Sequence, residues 1–365
     1  MSIALRNLLK DKTRFALSVS GVALAVMLIL LLSGFLSGMN TQITAYLNHA
    51  PGSVVVAQAG VRNLLGATSL LPAGTDGDVK ARGAAKVVPI FSQFIILDLH
   101  EKKQPVYLVG YDPKLGGGPW QLAAGREPRR DNEVVFDRVL AERHGIAIGD
   151  MIEILDRDFT VVGLSEGTTS WMTSFIFIRK TAAETLLRAP GATSFLLVTP
   201  SDRLTAETLR DRLSRLSGTE ALLKHEMMAN DLKLFARYFS APLQLMSGIA
   251  FLVGALVVGL VIYTATVERQ REYGVLKAIG AHNRILYQVV TIQALTASGV
   301  GSVLGVGLTF AAAKLIMELR PQFLITIEPA MVVRAMLAGL AMALLAALFP
   351  ARIVAGLAPA EVFRR

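Results

Sequence analysis

The side chains that could do chemistry in this chain are few and scattered. The histidines stand at 49, 100, 144, 225 and 282, and His225-Glu226 is followed by no second histidine at the zinc-protease spacing that puts two imidazoles on one helix face. There is no cysteine, which excludes thiolate zinc sites, cysteine nucleophiles and disulfides. No G-x-x-x-x-G-K-[ST] loop is present to cradle phosphates, so the chain is not expected to hydrolyse ATP by itself. Gly116-Gly117-Gly118 leads into Pro119 and Trp120 rather than a helix start and reads as a loop. No enzyme activity, metal or cofactor is expected of this chain.

The most patterned charged stretch is Val267-Glu268-Arg269-Gln270-Arg271-Glu272-Tyr273-Gly274-Val275-Leu276-Lys277-Ala278-Ile279-Gly280-Ala281. Glu268, Arg271, Glu272 and Val275 fall at i, i+3, i+4 and i+7, Gly280 suits a helix stop, and Asn283 suits the cap of a following helix. Charge pattern alone leaves two readings open, a short amphipathic helix on a membrane surface and a solvated basic loop.

The elements that must hold this stretch are membrane helices. Of 365 residues, 53% are hydrophobic and 18% charged, well under the roughly 25% charge of soluble domains. No charged side chain occurs between Arg14 and Arg62, and residues 15–39 exceed the ~20 residues that cross a bilayer. Further spans are expected at 241–267, 285–313 and 330–351, the last with Arg334 snorkelling to the interface. A cleaved leader is not expected, because the first apolar run is too long and lacks a small-residue cleavage site. The net charge is +9, yet residues 44–238 carry only +1. The basic excess therefore lies beside the spans, where it reports topology rather than nucleic-acid binding. Residues 1–14, 268–284 and 352–365 are basic and are expected inside the cell; the balanced loop 314–329 and the long insert 40–240 are expected outside. Gly34 with Gly38, and Ala250 with Gly254, form small-xxx-small steps that would let spans one and two pair with a second copy.

The insert reads as α+β. Strands are expected at 53–57, 91–99, 106–109, 133–136, 151–155, 159–162, 175–178 and 195–199, with a hairpin through Asp156, Arg157 and Asp158. Helices are expected at 138–144, stopped by Gly145, at 181–188 and at 204–216. From Ala221 the pattern is helical into span two, and no breaker follows span one through Asn48, so two long helices flank the insert. The fold class is thus a membrane α-helical bundle with four transmembrane helices, arranged 1+3, plus an α+β extracytoplasmic domain between helices one and two.

Residues 267–281 closely resemble the E-R-x-R-E-x-G-x-x-[KR]-A-[IL]-G-A coupling motif of ABC permeases of the MacB/FtsX type, also called type VII. Ala4-Leu5-Arg6-Asn7-Leu8 with the basic residues to Arg14 is similar to the family's amphipathic N-terminal helix, and Pro350 to Arg364 to its P-A-x-x-A-x-x-x-P-x-E-x-[LF]-R ending. Val106 to Pro113, Gly125-Arg126-Glu127-Pro128, Glu133-Val134-Val135 and Gly149-Asp150 through Gly163 resemble its periplasmic core domain. With no fused ATPase, the chain stands nearest the DevC, LolC and haem-exporter branches. The resemblance implies a permease subunit in the bacterial cytoplasmic (inner) membrane. Implied partners are two copies of a separate ATPase that bind ATP and Mg, a second permease copy or close homologue, and membrane lipid, with room for a periplasmic adaptor and none for nucleic acid. Glu268, Arg271, Glu272, Gly274, Lys277 and Gly280 are then the ATPase-coupling residues. The implied work is mechanotransmission, in which ATP binding moves the outer domain to export or extract an amphipathic substrate. An FtsX-like regulator that activates a cell-wall hydrolase without transport is the alternative. Nothing in the insert is diagnostic of haem, glycolipid, lipoprotein or peptide.

Overall fold

Four helices are long and apolar enough to cross a membrane. In the computed structural model, which describes residues 12–99, 101–170, 173–268, 271, 274–275 and 282–356, they are α1 (Lys12–His49), α6 (Lys224–Glu268), α7 (Asn283–Leu319) and α8 (Pro329–Gly356). Each outruns its expected span. Once a span is helical, propagation adds one hydrogen bond per residue until a breaker intervenes, and charges such as Lys314 and Glu318 do not stop it. Pro242 sits inside α6 without ending it.

The chain divides into two compact units. In the helical unit, Val22, Val26 and Leu30 of α1 form one apolar core with Val258 and Ile262 of α6, Val290 and Ala294 of α7, and Met342, Ala343 and Ala346 of α8. Small residues bring the backbones together. A Cβ on Gly301 or Gly305 of α7 would lie 2.8 or 2.6 Å from the carbonyl oxygens of Val19 and Ala23, closer than any real side chain sits, so only glycine permits this approach.

The inserted unit, residues 39–238 with 321–324, is built on a ten-stranded sheet. Its strands are β1 (Val54–Gln58), β2 (Ala84–Leu99), β3 (Lys102–Tyr111), β4 (Leu122–Gly125), β5 (Glu133–Asp137), β6 (Met151–Glu153), β7 (Asp158–Ser165), β8 (Ser174–Arg179), β9 (Phe195–Pro200) and β10 (Thr219–Leu223). The order is β10-β1-β9-β2-β3-β8-β5-β7-β4, with β6 paired to β7. Parallel pairs are β3 with β8 and β5 with β7; the others are antiparallel. Strand β2 threads two lobes, pairing with β9 through Ala84–Ile90 and with β3 through Phe91–Leu99. One lobe packs α2 (Thr75–Ala81) on the first half of β2 and α5 (Ala206–Leu213) on β1, β9 and β10; its core includes Val54, Val56, Val79, Val87, Leu196, Leu209 and Leu213. The other packs α3 (Arg138–His144) and α4 (Lys180–Leu186) around Phe136, Phe159, Ile176 and Ile178.

The α+β insert between helices one and two is as its alternation predicts, but β2 begins at Ala84 where a strand was expected only from Phe91, and three further details differ. Strand β4 and helix α2 were not expected. The helix expected from Ala221 begins at Lys224, because Thr219–Leu223 pair with β1 in the register Val55 opposite Leu222. There cross-strand packing overrides a helical periodicity that Leu222 and Leu223 share with the residues after them. Asp137 caps α3 by accepting from Leu140 N–H, and Gly145 closes it at φ 66°, where a Cβ would be strained.

Candidate coupling site and helix anchors

Glu268, the last residue of α6, accepts a charge-assisted hydrogen bond from Arg14 of α1. The pair is partly exposed, with side-chain accessibilities of 29% and 59%, so it contributes on the order of 0–1 kcal/mol. It fixes the end of one span beside the start of another. Arg271 is exposed, Gly274 is buried, and Gly274 and Val275 are helical, Val275 being exposed as well. Glu272, Lys277 and Gly280 lie outside the described residues, as do the N-terminal segment before Lys12 and the ending after Gly356.

The small-residue steps are taken up inside the chain. Gly34, Gly38, Ala250 and Gly254 are all buried. A Cβ on Gly34 would meet Ile325 and Ile327, and one on Gly254 would lie 2.6 Å from Ala25 Cβ and 2.7 Å from Met342 Sδ. The close approach that was expected between copies is therefore made at Gly34 and Gly254 between segments of one chain. Side chains of the same two helices that face outward are larger, among them Leu17, Leu24, Leu28, Ile249 and Val253.

In the inserted unit the ends of α1 and α6 are each anchored by a buried polar residue. Tyr46 of α1 is 2% exposed and donates its hydroxyl to Gly117 O at 2.6 Å; burial pushes the phenol well above its ordinary pKa. Its ring stacks on Phe175 at 5.4 Å and meets Trp120 edge-on, while His49, one helical turn on, stacks on Trp120 at 4.7 Å. Phe175 continues the series to Tyr107, and Tyr107 to Phe94. On α6, Lys224 donates to Ala50 O at 3.0 Å, and Asp231 accepts from the backbone N–H groups of Leu64 and Leu65 at 3.4 and 3.0 Å. Asn230 donates to Arg62 O at 3.0 Å. Desolvation pushes the Asp231 carboxyl up to about 7 against the lowering effect of those amides. None of these anchors was singled out from sequence. Asp231 had a signal, since it stands four residues after Met227 and four before Phe235, on the apolar side of its helix.

A second buried carboxylate, Asp137, gathers the hydroxyls of Thr168, Thr169 and Ser174 together with its capped amide, and burial raises its pKa as well. Thr168 and Ser174 are themselves buried, so this is a scaffold contact. Among the described residues no group of three or more His, Asp or Glu is placed to hold a metal.

A MacB-like periplasmic core domain matches residues 15–216, more than half the chain, and an FtsX-like permease C-terminal domain matches residues 245–359. The chain is an ABC transporter permease of the MacB/FtsX type. An uncharacterized ABC transporter permease of Mycobacterium tuberculosis is 24% identical over 317 residues, 86% of each chain. A protein named for hemin transport, the permease HrtB of Staphylococcus haemolyticus, is 20% identical over 83% of each chain. The periplasmic region of MacB from Actinobacillus actinomycetemcomitans aligns with 50% of the permease and 94% of its own length, at 15% identity and a TM-score of 0.38. The extracellular domain of the transporter YknZ aligns at 12% identity and 0.35. The permease is a multi-pass membrane protein, and its class implies an ATPase partner.

Proposed function

We propose that the permease is one half of a pair, driven by two copies of a separate ATPase that bind ATP and magnesium, in the bacterial inner membrane. Both termini and the 268–284 loop face the cytoplasm, and the inserted unit lies outside. The loop, with Glu268, Arg271, Glu272, Gly274, Lys277 and Gly280, receives the motion of the ATPase. Helices α1 and α6 carry it to the inserted unit, which exports or extracts an amphipathic substrate without opening a channel through the membrane.

One observation supports this reading best. The two helices that flank the insert are joined by Arg14 and Glu268 at their loop ends and anchored by Tyr46 and Asp231 at their insert ends. Each helix runs without interruption from one contact to the other, with Pro242 of α6 as the point along it where a ladder hydrogen bond is missing. Pairing is assigned to the outward apolar faces of α1 and α6, since their small residues are already buried within the chain.

The sidedness is tested with single cysteines at Asp156, exposed on the β6–β7 turn, and Gln270 of this cysteine-free chain and an impermeant thiol reagent. Labelling Asp156→Cys from outside supports the orientation; labelling Gln270→Cys instead reverses it. Copurification of a cell-wall hydrolase without any exported substrate would favour the regulator alternative over transport.

A further inference from the structure

A cavity of about 170 Å³ lies inside the inserted unit. Ile43 of α1 and Phe235 of α6 meet Phe94 of β2, Tyr107 of β3 and Leu65 of the β1–α2 connection around it. Polar lining is confined, among the described residues, to Tyr107, Ser170 and Thr173. Larger grooves lie along the membrane helices, one of them on the α1 and α6 faces already assigned to pairing.

Three observations say what fits here. The wall is mostly apolar, with Ile43, Leu65, Phe94, Pro105 and Phe235 around it. The backbone of the 62–66 loop is already engaged, with Arg62 O accepting from Asn230, Leu64 and Leu65 N–H donating to Asp231, and Gly66 N–H donating to the Tyr107 hydroxyl at 2.9 Å. Apolar cavities of about 150 Å³ take a molecule the size of benzene. The cavity also has an apolar approach. Phe94 is 46% exposed and Ile96, two residues along the same strand face, is 57% exposed, whereas the intervening Ile95 is buried. Finally, the apolar track is elongated, running from the cavity along β2, which suits a chain better than a compact ring.

We propose that this cavity binds the end of an acyl chain of an amphipathic ligand, with the remainder of the chain along Phe94 and Ile96 and the polar end in solvent. The bound chain touches both long helices and the sheet at once, so its presence changes the packing between them. This site rests on the export reading only for the identity of its ligand as cargo.

The test uses the full permease in lipid nanodiscs, without ATP or ATPase, carrying Thr173→Cys as its one thiol. N-ethylmaleimide alkylation is followed by intact mass, with sodium octanoate as the probe and sodium acetate and sodium benzoate as comparisons. Octanoate is expected to slow alkylation saturably, about tenfold at ten times its dissociation constant. Acetate is expected to have no effect, Asp156→Cys on the β6–β7 turn no change, and Phe94→Ser weaker protection. Equal slowing at Asp156→Cys, no protection at Thr173→Cys, or protection untouched by Phe94→Ser overturns the site. Protection by benzoate but not octanoate overturns the chain assignment. Because coupling is not measured, failure here leaves the ATPase reading standing, and failure of coupling leaves this binding result standing.

Discussion

Tyr46 offers the most direct measure of how firmly the first helix is held in the inserted unit. Its hydroxyl makes a 2.6 Å hydrogen bond to a buried carbonyl, and its ring is enclosed by Phe175 and Trp120. Tyr46→Phe keeps the ring and removes the donor. The loss is that of one net hydrogen bond plus part of the penalty for an unsatisfied carbonyl, about 1–2 kcal/mol. Tyr46→Ala removes the ring as well, and large aromatic truncations in cores cost about 3–5 kcal/mol. For a unit of this size each kcal/mol lowers the melting temperature by about 2–4 °C. Trp120 reports the transition because it touches Tyr46, and the chain has only one other tryptophan. Thermal melting of the permease in nanodiscs, followed by tryptophan emission, should rank wild type above Phe and Phe above Ala. A Tyr46→Ala protein that melts with the wild type would refute the anchor.

The remaining predictions concern two carboxylates and the bundle. Asp231, raised from its ordinary 3.8 to about 7, holds more protons folded than unfolded between those values. The inserted unit should therefore lose up to about 4 kcal/mol as pH rises from about 4 to 7 and then level off. Asp231→Asn should remove that slope in denaturant titrations at pH 5 to 8; parallel profiles would sink the idea. Asp137→Ala, which strips a cap and an acceptor of three hydroxyls, should destabilise the same unit by about 2–4 kcal/mol, checked by the same melt. Gly254→Leu should sharply reduce protease resistance, since even its Cβ would press on Ala25 and Met342. By contrast, Leu24→Cys, 56% exposed, should form a disulfide between two copies on mild oxidation, and a purely monomeric product would remove the pairing proposal.

Much of the architecture was legible because its determinants are local. A bilayer demands about twenty uncharged residues at a stretch, and β-branched runs between glycines and aspartates mark strands such as Phe195–Pro200. Legibility failed where a distant partner decides. Leu222 and Leu223 are helical by spacing and become a strand through β1. Arg14 and Glu268 are 254 positions apart, and each reads alone as a solvated charge. Tyr46, Trp120 and Phe175 meet only after the sheet forms. The small-residue steps were visible as close-approach sites, but periodicity does not say whether a second copy or the chain itself fills them. The coupling residues came from family resemblance, and of their spacing only Glu268, Arg271 and Gly274 fall within the described residues.

In the proposed function the 268–284 loop passes force between the ATPase and the permease. This is tested by the ATP turnover of the reconstituted complex with Glu268→Lys plus Glu272→Lys, with Gly280→Val, and with the exchange Arg14→Glu plus Glu268→Arg; Glu318→Lys serves as the control. Each charge-assisted contact to a partly shielded groove contributes about 1.5–3 kcal/mol, so losing two should abolish stimulation by the permease while expression and protease resistance persist. The exchange, which rebuilds the internal ion pair with its charges reversed, should not restore it, and Glu318→Lys should stimulate normally. Undiminished permease-dependent turnover in the loop variants, or full recovery on exchanging Arg14 and Glu268, would show that these charges serve only the chain's own packing and solvation and would contradict the account.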